Sequence, residues 1–361
     1  MNRRDQTPEA KPPMGGNIDM RLHALITAAA IVLSGTAFAQ TKVTIGGTGS
    51  ATDVGLWVAD KKGYFRDENI QVEFITFDSA VRMVTSLASN SLDVGAGGHS
   101  AGLFNAIGRG IDIRIVSDKS QNVTGRGSQK LIVRKDLVDS GRYKSLADLK
   151  GMKIAVSAPG GSAATVILKF LEKGGLKPDD VEQVSLSFPQ MSVALQNKAV
   201  DAALPAEPSV TQALRTGAAV AVANDYDVYP IHQISEILYS SKFATANPDV
   251  ARRFMRAFLR GVRYHNDSLN NKGEFTGARG DEIVSILTEY GPYKDAAIWR
   301  SFIFAYCNPD GALHLPSLKE DLTIFKQQGL IEQPKVEIDQ MVDTSFVAWA
   351  VKELGPYKKA P

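Results

Sequence analysis

The sequence predicts a two-lobed α/β protein in which parallel strands alternate with helices. Short β-branched runs are followed by helix-like stretches, a pattern typical of parallel α/β structure. The same alternation occurs twice along the chain. Removal of the N-terminal 39 residues leaves 322 residues, which is large for one core and sufficient for two domains.

The N-terminus has the pattern of an export signal. A basic stretch directly after Met20 precedes an apolar run at 25–33 and small residues that end at Ala39. This order predicts a secretory signal peptide over 20–39, cleaved after Ala39. The alternative, a membrane anchor, needs about 20 consecutive apolar residues, and hydroxyl residues and glycine interrupt this run. Residues 1–19 are polar and proline-rich, so we expect them to be an upstream extension and Met20 to be the true start.

Charge and cysteine content exclude several functions. The 41 Lys and Arg residues nearly balance the 39 Asp and Glu residues, which gives no electrostatic footprint for nucleic acid or a membrane surface. Cys307 is the only cysteine, so no intramolecular disulfide can form. We expect Cys307 to be a buried small side chain rather than a nucleophile. We also expect the protein to be a monomer.

The first lobe is predicted to contain four strands. These strands are 43–46, 70–74, 92–96 and 111–116. Helices are expected to begin near Val54, Asp78 and Ser100. The polar, glycine-rich run at 118–128 is the first predicted boundary between lobes, and residues 129–134 would carry the chain across it.

The second lobe repeats this plan. A strand at 153–156 leads through a glycine and serine loop at 157–162 into a helix that ends at Gly174-Gly175. Segments 87–96 and 195–204 each lead from a helix end into an apolar strand. Two lobes built on one plan would place strand ends and helix N-termini on both sides of a shared cleft.

The chain is predicted to return to the first lobe between Tyr229 and Tyr239. Lobe 1 would then comprise 40–130 and 235–361, and lobe 2 would comprise 131–234. The C-terminal part is helix-like and should form a layer on lobe 1, because few strand signals remain. Its predicted helices begin at Asn247-Pro248-Asp249, which places proline in the first turn, and include 282–290, 318–328 and 341–354.

Four motifs resemble a known family. They are the run LWVADKKGYF at 56–65, NSLDVG at 90–95, GMKIAV at 151–156, and VDAA at 200–203 followed by Glu207-Pro208. With these motifs the chain resembles the type II periplasmic binding proteins of the nitrate, taurine, sulfonate and thiamine-precursor group, which includes NMT1/THI5-like domains and SsuA/TauA-like proteins. The resemblance covers nearly all of 42–357.

The resemblance implies a fold and a function. The fold would have a mixed sheet flanked by helices in each lobe, with a ligand cleft between the lobes. The function would be that of the solute-binding component of an ABC importer, which works in the periplasm with a membrane permease, closes around its ligand by a hinge motion and is not an enzyme. The family often has an aromatic residue immediately before the acid and proline, where this chain has Ala206, which weakens any transfer of ligand identity.

Four loops that open helices are the predicted ligand contacts. Backbone N–H groups in the first turn of a helix lack partners within that helix and can bind an anion or a carbonyl oxygen. The alternative for each hydroxyl is an ordinary helix cap. The predicted contacts in these loops are Ser50, Ala51, Thr52, His99, Ser100, Gly161, Ser162, Phe188 and Gln190.

Three side chains could determine which ligand charge the cleft prefers. His99 could donate a hydrogen bond to a ligand oxygen, and Arg126 could clamp a carboxylate or sulfonate. Glu207 could accept from an amine or amidine, and with Phe188 or Trp57 it suits a planar amine-bearing heterocycle. The chain is predicted to favour an oxyanion such as a sulfonate, carboxylate or nitrate, with a pyrimidine or thiamine-precursor heterocycle as the alternative.

One motif suggests catalysis instead. Gly98-His99-Ser100-Ala101-Gly102 matches the serine hydrolase elbow and lies between a predicted strand and a predicted helix. No glycine-rich oxyanion segment accompanies it, so hydrolase activity is the weaker hypothesis, and an adhesive role is a third. His232, His265 and His314 have no acidic or cysteine partner at ligand spacing, so no metal site is predicted. The common nucleotide-binding motifs are absent from the sequence, and no cofactor is predicted.

Overall fold

A computed structural model describes residues 9–10 and 40–360. The predicted signal peptide at 20–39, and all of the predicted extension at 1–19 except residues 9–10, lie outside the described residues. Within the described part, no helix is both long enough and apolar enough to cross a membrane.

The described chain contains ten strands and fourteen α-helices. The strands are β1 Thr41–Gly47, β2 Ile70–Thr76, β3 Val94–Gly97, β4 Arg114–Asn122, β5 Lys130–Arg134, β6 Lys153–Val156, β7 Glu182–Ser185, β8 Ala202–Ala203, β9 Ala219–Asn224 and β10 His232–Tyr239. The helices are α1 Val54–Lys61, α2 Tyr64–Asp67, α3 Ala80–Ala88, α4 Ala101–Gly108, α5 Lys135–Asp139, α6 Ser162–Lys173, α7 Phe188–Gln196, α8 Ser209–Arg215, α9 Ser241–Ala246, α10 Pro248–Asp267, α11 Gly277–Tyr290, α12 Ala296–Trp299, α13 Leu315–Gln327 and α14 Ser345–Leu354.

The strands form two five-stranded sheets with the same topology. The first sheet has the order β2-β1-β3-β10-β4, and the second has the order β7-β6-β8-β5-β9. In each sheet the first three strands are parallel and the fourth runs antiparallel to both of its neighbours. The similar segments 87–96 and 195–204 lead into β3 and β8, which occupy the same third position.

Two segments connect the sheets. The chain passes from β4 to β5 through 123–129 and returns from β9 to β10 through 225–231. Residues 232–239, which we expected to lie in the return crossing, instead form a central strand in which every residue is buried. This strand was not predicted because it contains several polar side chains, and the partners that allow their burial come from distant parts of the chain. The lobe boundaries at 130 and 234 stay a prediction.

Each face of each sheet carries its own apolar core. On the first sheet, one cluster joins α1, α10, α11 and α14, and another joins α3, α4 and α13. On the second sheet, α6 covers one face, and α7 and α8 cover the other. Residues of a single strand alternate between faces, as Ile132 and its neighbours Leu131 and Val133 do, so both sheets are buried on two sides.

The C-terminal helices pack on the first sheet, in agreement with the predicted layer. The predicted segments 282–290 and 318–328 correspond to α11 and α13, whereas 341–344 precede α14. Helix α10 crosses α1 closely at Gly261, where a Cβ atom would lie 2.1 Å from the Gly55 carbonyl oxygen. The Cys307 thiol is buried, and burial raises its pKa to about 12, as expected of an unreactive core cysteine.

Candidate ligand-binding cleft

Two neighbouring cavities lie where loops of the two sheets meet. The larger has a volume of about 240 Å³. The first sheet contributes 47–50 after β1 and 74–78 at the end of β2, and the second sheet contributes 187–189 after β7 and 207–209 after β8. These loops follow the carboxyl ends of parallel strands, which is where α/β folds place their ligands.

The smaller cavity, of about 60 Å³, is lined mainly by hydroxyl groups and glycines. It shares Thr48, Ser50 and Phe188 with the larger cavity. The other lining residues come from both sheets and from the connections between them: Thr52, Ser79, Ala80, Val81, Gly97, Gly98, His99, Lys119, Ser128, Gln129, Ser157, Gly161, Ser162, Ala163, Ala206, Ile234 and Ser235.

Direct hydrogen bonds join the loops of the two sheets across the cleft. The Ala51 N–H donates to the Glu207 carbonyl oxygen at 2.9 Å, and the Ser162 N–H donates to the His99 carbonyl oxygen at 3.1 Å. A Cβ atom on Gly98 would lie 2.3 Å from Ser162 Oγ, so a glycine is required for this approach. The structure therefore has the cleft closed.

A buried ion pair lies beneath the first-sheet side of the cleft. Lys119 Nζ on β4 lies 2.5 Å from Asp53 Oδ1, and both side chains are at most 3% exposed. The Ser50 N–H donates to the other carboxylate oxygen of Asp53 at 3.1 Å, and Lys119 also donates to the Ala96 carbonyl oxygen. Both charges are therefore matched within the protein. This pair is not apparent from the sequence, because Lys119 lies in the polar, glycine-rich run at 118–128 that resembles a linker.

Glu207 is buried with only one of its carboxylate oxygens hydrogen-bonded. Its Oε2 accepts from the Thr211 N–H at 3.0 Å, while Oε1 accepts no hydrogen bond from the described residues. Lys130 Nζ is 3.9 Å from Oε1. Burial raises the pKa of Glu207, and the Thr211 N–H, the Lys130 charge and the Thr211 hydroxyl offset this effect in part.

His99 belongs to a buried cluster rather than to a set of free donors. Its Nδ1 lies 2.9 Å from Glu236 Oε1 and its Nε2 lies 2.6 Å from Asp321 Oδ2. Burial disfavours the imidazolium, but the two carboxylates outweigh burial and raise the pKa of His99 to about 10. The predicted role as a ligand donor is wrong for the ring nitrogens, since both are already bonded to carboxylates.

His232 completes this cluster. Its Nε2 lies 2.6 Å from the same Asp321 oxygen that contacts His99, although sequence spacing indicated no acidic partner. Burial works against ionisation of Asp321, but the two histidines overcome it and hold the pKa of Asp321 well below its usual range. Imidazole and carboxylate groups are also zinc ligands. In this structure the Nε2 atoms of His99 and His232 are each hydrogen-bonded directly to Asp321 Oδ2 at 2.6 Å.

Ser100 has the environment of a helix cap. Its Oγ accepts from the Leu103 N–H at 3.1 Å, and its backbone is extended, with φ at −158°. A hydrolase nucleophile needs a sharp, strained turn that exposes its hydroxyl, whereas Ser100 is 1% exposed. The described residues that line the two cavities do not include Ser100. Gly98, the first glycine of the elbow motif, is explained by its close approach to Ser162 and does not require a catalytic role.

Three other predicted contacts lie outside the lining of both cavities. Arg126 donates to the carbonyl oxygens of Phe304 and Ala305 at 3.0 and 3.1 Å, which ties the first connection to the C-terminal region. Gln190 Oε1 accepts from the Ser187 N–H at the start of α7. Ala51 donates its backbone N–H to the Glu207 carbonyl oxygen after β8.

The remaining predicted contacts line the cleft. They are Ser50, Thr52, Gly161, Ser162, Phe188 and Glu207. Trp57 is 5% exposed and lines the larger cavity, so it belongs to both core and cleft. Phe74, Phe77 and Tyr290 also line the larger cavity and were not predicted, because aromatic residues in strands and helices usually belong to cores.

Comparison with known proteins now identifies the family. The family model described as NMT1/THI5 like matches residues 51–268, which is more than half of the chain. The chain belongs to the NMT1/THI5-like family. A putative aliphatic sulfonates-binding protein of Bacillus subtilis is 27% identical over 82% of this chain and 85% of that protein.

Solved structures of a binding protein and of an enzyme have the same fold as this NMT1/THI5-like chain. The periplasmic nitrate-binding protein NrtA of Synechocystis superposes with a TM-score of 0.72 and 15% identity, covering 87% of this chain and 89% of that protein. The fold is that of the type II periplasmic binding proteins. A desulfurization enzyme, DSZB, superposes with a TM-score of 0.62 and 18% identity, covering 87% and 99%. The same fold therefore also supports an enzyme.

Proposed function

We propose that this protein is the solute-binding component of an ABC importer and captures a small molecule between its two lobes. One observation carries the proposal. Loops of both sheets line the same two cavities, so a ligand in the cleft contacts both halves of the protein at once. The relative named for sulfonate binding and the structure named for nitrate binding support the importer assignment.

Closure of the cleft is the proposed mechanism. A ligand that contacts both lobes has a higher affinity for the closed state and shifts the population toward it. The hinge would lie in the connections 123–129 and 225–231. Asp225 Oδ2 accepts from the N–H groups of Ser128 and Gln129 at 3.1 and 2.8 Å, and so holds the two connections side by side.

The protein is proposed to act in the periplasm as a monomer and to deliver its ligand to a membrane permease. Its relatives include a periplasmic protein, and the predicted signal peptide at 20–39 would direct export. No bond is broken in this cycle. The capped hydroxyl of Ser100 and the fully bonded ring of His99 argue against the serine hydrolase alternative.

A thermal-shift screen combined with small-angle scattering tests the proposal. The screen should cover sulfonates, nitrate, carboxylates, amines, amidines, pyrimidines and flavins. A ligand present at about 1,000 times its Kd should stabilise the protein by about 4 kcal/mol, and the same ligand should reduce the radius of gyration. A generic ester should not be hydrolysed. Ester turnover that is lost in Ser100→Ala, with no ligand that causes compaction, would replace the proposal with the hydrolase.

A further inference from the structure

The charges around the larger cavity differ from those expected for an anion site. Among the described residues that line it, none is a lysine, arginine or histidine, while Asp53, Asp78 and Glu207 are acidic. Lys119 already matches the charge of Asp53, and Asp78 is exposed at the rim. The buried charge of Glu207 is the one left without an adequate partner.

We propose that the larger cavity selects a small planar organic cation, a protonated amine or amidine, whose N–H groups donate to Glu207. This inference rests on the proposed function and names its ligand class. Two observations carry it: the incompletely bonded carboxylate and the aromatic lining of the same cavity.

Glu207 lacks the donors that a buried carboxylate requires. It is 4% exposed, its Oε1 has no hydrogen bond from the described residues, and Lys130 Nζ remains 3.9 Å away. A buried ionised group is costly unless it is paired and hydrogen-bonded. An ammonium or amidinium supplies both the charge and the donors, and charge-assisted hydrogen bonds of this kind are the stronger ones.

Aromatic side chains supply the rest of the recognition surface. Trp57 and Tyr290 are stacked, with ring centroids 6.3 Å apart, and Phe74 meets Tyr290 edge-on at 5.9 Å. Phe77 and Phe188 also line the cavity. A cation over an aromatic face is attracted by the ring quadrupole. The volume of about 240 Å³ lies below that of a drug-sized pocket, so a single-ring ligand is expected.

An oxyanion finds poorer conditions here. In the larger cavity it would face the charge of Glu207 in surroundings of low dielectric, where like-charge repulsion is strong. Lys119 lines the smaller cavity and is already paired with Asp53. The smaller cavity has helix N-termini and hydroxyl groups but a volume of only about 60 Å³. The oxyanion favoured by sequence analysis is therefore the competing outcome of the test.

Isothermal titration of the purified protein with four probes separates these outcomes. Benzamidine, benzamide and benzoate share a ring and differ in charge, and methanesulfonate represents the small oxyanions. Benzamidine should bind at least tenfold more tightly than benzamide, and neither anion should bind more tightly than benzamide. Glu207→Gln, which keeps an acceptor for the Thr211 N–H, should weaken benzamidine at least tenfold and leave benzamide within threefold.

Asp179→Asn is the matched control. It removes an exposed acidic group that does not line the cavity and should change benzamidine affinity less than threefold. Circular dichroism and the Tm should show that both variants fold.

Two results would overturn the ligand class: tighter binding of benzoate or methanesulfonate than of benzamidine, or no binding of benzamidine at all. Neither result removes the proposed function, which fails only if no compound in the wider screen causes compaction.

Discussion

Two buried carboxylates beside the cleft differ in how well the protein satisfies them. Asp53 and Glu207 are 2% and 4% exposed, and each follows a strand that ends at the cleft. Asp53 has a lysine at 2.5 Å and a backbone N–H at 3.1 Å, whereas Glu207 has the N–H and hydroxyl of Thr211 and a lysine only at 3.9 Å.

This difference in pairing distinguishes a carboxylate that stabilises the fold from one that is available to a ligand. A fully matched buried pair is needed once it exists, because removal of one partner leaves the other charged and unpaired. A half-matched carboxylate destabilises the folded protein until something else supplies the missing donor. We therefore assign Asp53 to the fold and Glu207 to the ligand.

Substitution of Lys119 should have the largest effect. Lys119→Met leaves Asp53 buried without its counter-charge and should lower the free energy of unfolding by about 3–5 kcal/mol, measured by urea denaturation. Lys119→Met combined with Asp53→Asn should lose less than the single variant, because the second change removes the stranded charge.

The exposed pair between Lys42 and Glu73 provides the control for this measurement. Its side chains are 65% and 49% exposed, so Lys42→Ala should change the free energy of unfolding by less than about 1 kcal/mol. Equal losses from Lys119→Met and Lys42→Ala would show that burial of the first pair has no energetic consequence.

The histidine cluster extends the comparison to a third buried carboxylate, Asp321, which two histidines match. The pKa of His99 is raised from its usual 6.5 to about 10 by Glu236 and Asp321 against the opposing effect of burial. Its contribution to stability is therefore complete below pH 6.5 and is lost as the pH rises from 6.5 toward 10. The lowered pKa of Asp321 acts at the other end, where stability is lost in acid.

Urea denaturation at pH 6.5 and pH 9.5 measures this alkaline loss. The free energy of unfolding should fall between the two pH values, and the fall should be smaller in His99→Gln, which has no titrating ring. An identical fall in both proteins would mean that the His99 cluster does not retain its proton on folding.

Much of the fold was predictable because its signals are local. Strand periodicity, glycine-terminated helices and the proline helix start at Pro248 depend on near neighbours, and they located most strands of the first sheet and the C-terminal layer. Strand β10 escaped detection because His232, Gln233 and Glu236 look like loop residues in sequence. Their partners Asp321 and Asp118 lie 89 and 115 positions away, and no local pattern reports them.

The cleft was predictable only in outline. Loops that open helices identified Ser50, Thr52 and Ser162 as lining residues, because helix N-termini expose donors whatever the ligand. Which charges the protein satisfies internally depends on tertiary contacts. Arg126 and His99 were therefore predicted to bind a ligand, although carbonyl oxygens already accept from two guanidinium nitrogens of Arg126 and carboxylates bond both ring nitrogens of His99.

Neutralisation of Glu207 should have a smaller effect on stability, and one of opposite sign. Burial raises the pKa of Glu207, so its charged form opposes folding at neutral pH. Glu207→Gln should raise the free energy of unfolding of the ligand-free protein by about 1 kcal/mol, measured in urea at pH 7.5. A loss of stability comparable to that of Lys119→Met would place Glu207 among the structural charges and would remove the contrast with Asp53.

The smallest expected effect concerns an exposed pair that spans the cleft. Arg215 Nη1 at the end of α8 lies 2.7 Å from Asp295 Oδ2 in the C-terminal layer, with both side chains 48% exposed. Opening of the cleft would separate them, so Arg215→Ala should favour the open state and weaken benzamidine binding by less than about fivefold. Titration calorimetry in low salt measures this change.

Lys135→Ala is the matched control, since its equally exposed pair with Asp139 lies within α5 and is untouched by hinge motion. This variant should leave the affinity for benzamidine unchanged. Equal weakening by both substitutions would point to a general effect of surface charge on a cationic ligand. Weakening by Arg215→Ala alone, and less of it in high salt, would place the contribution in closure, because removing a positive charge should by itself improve the binding of a cation.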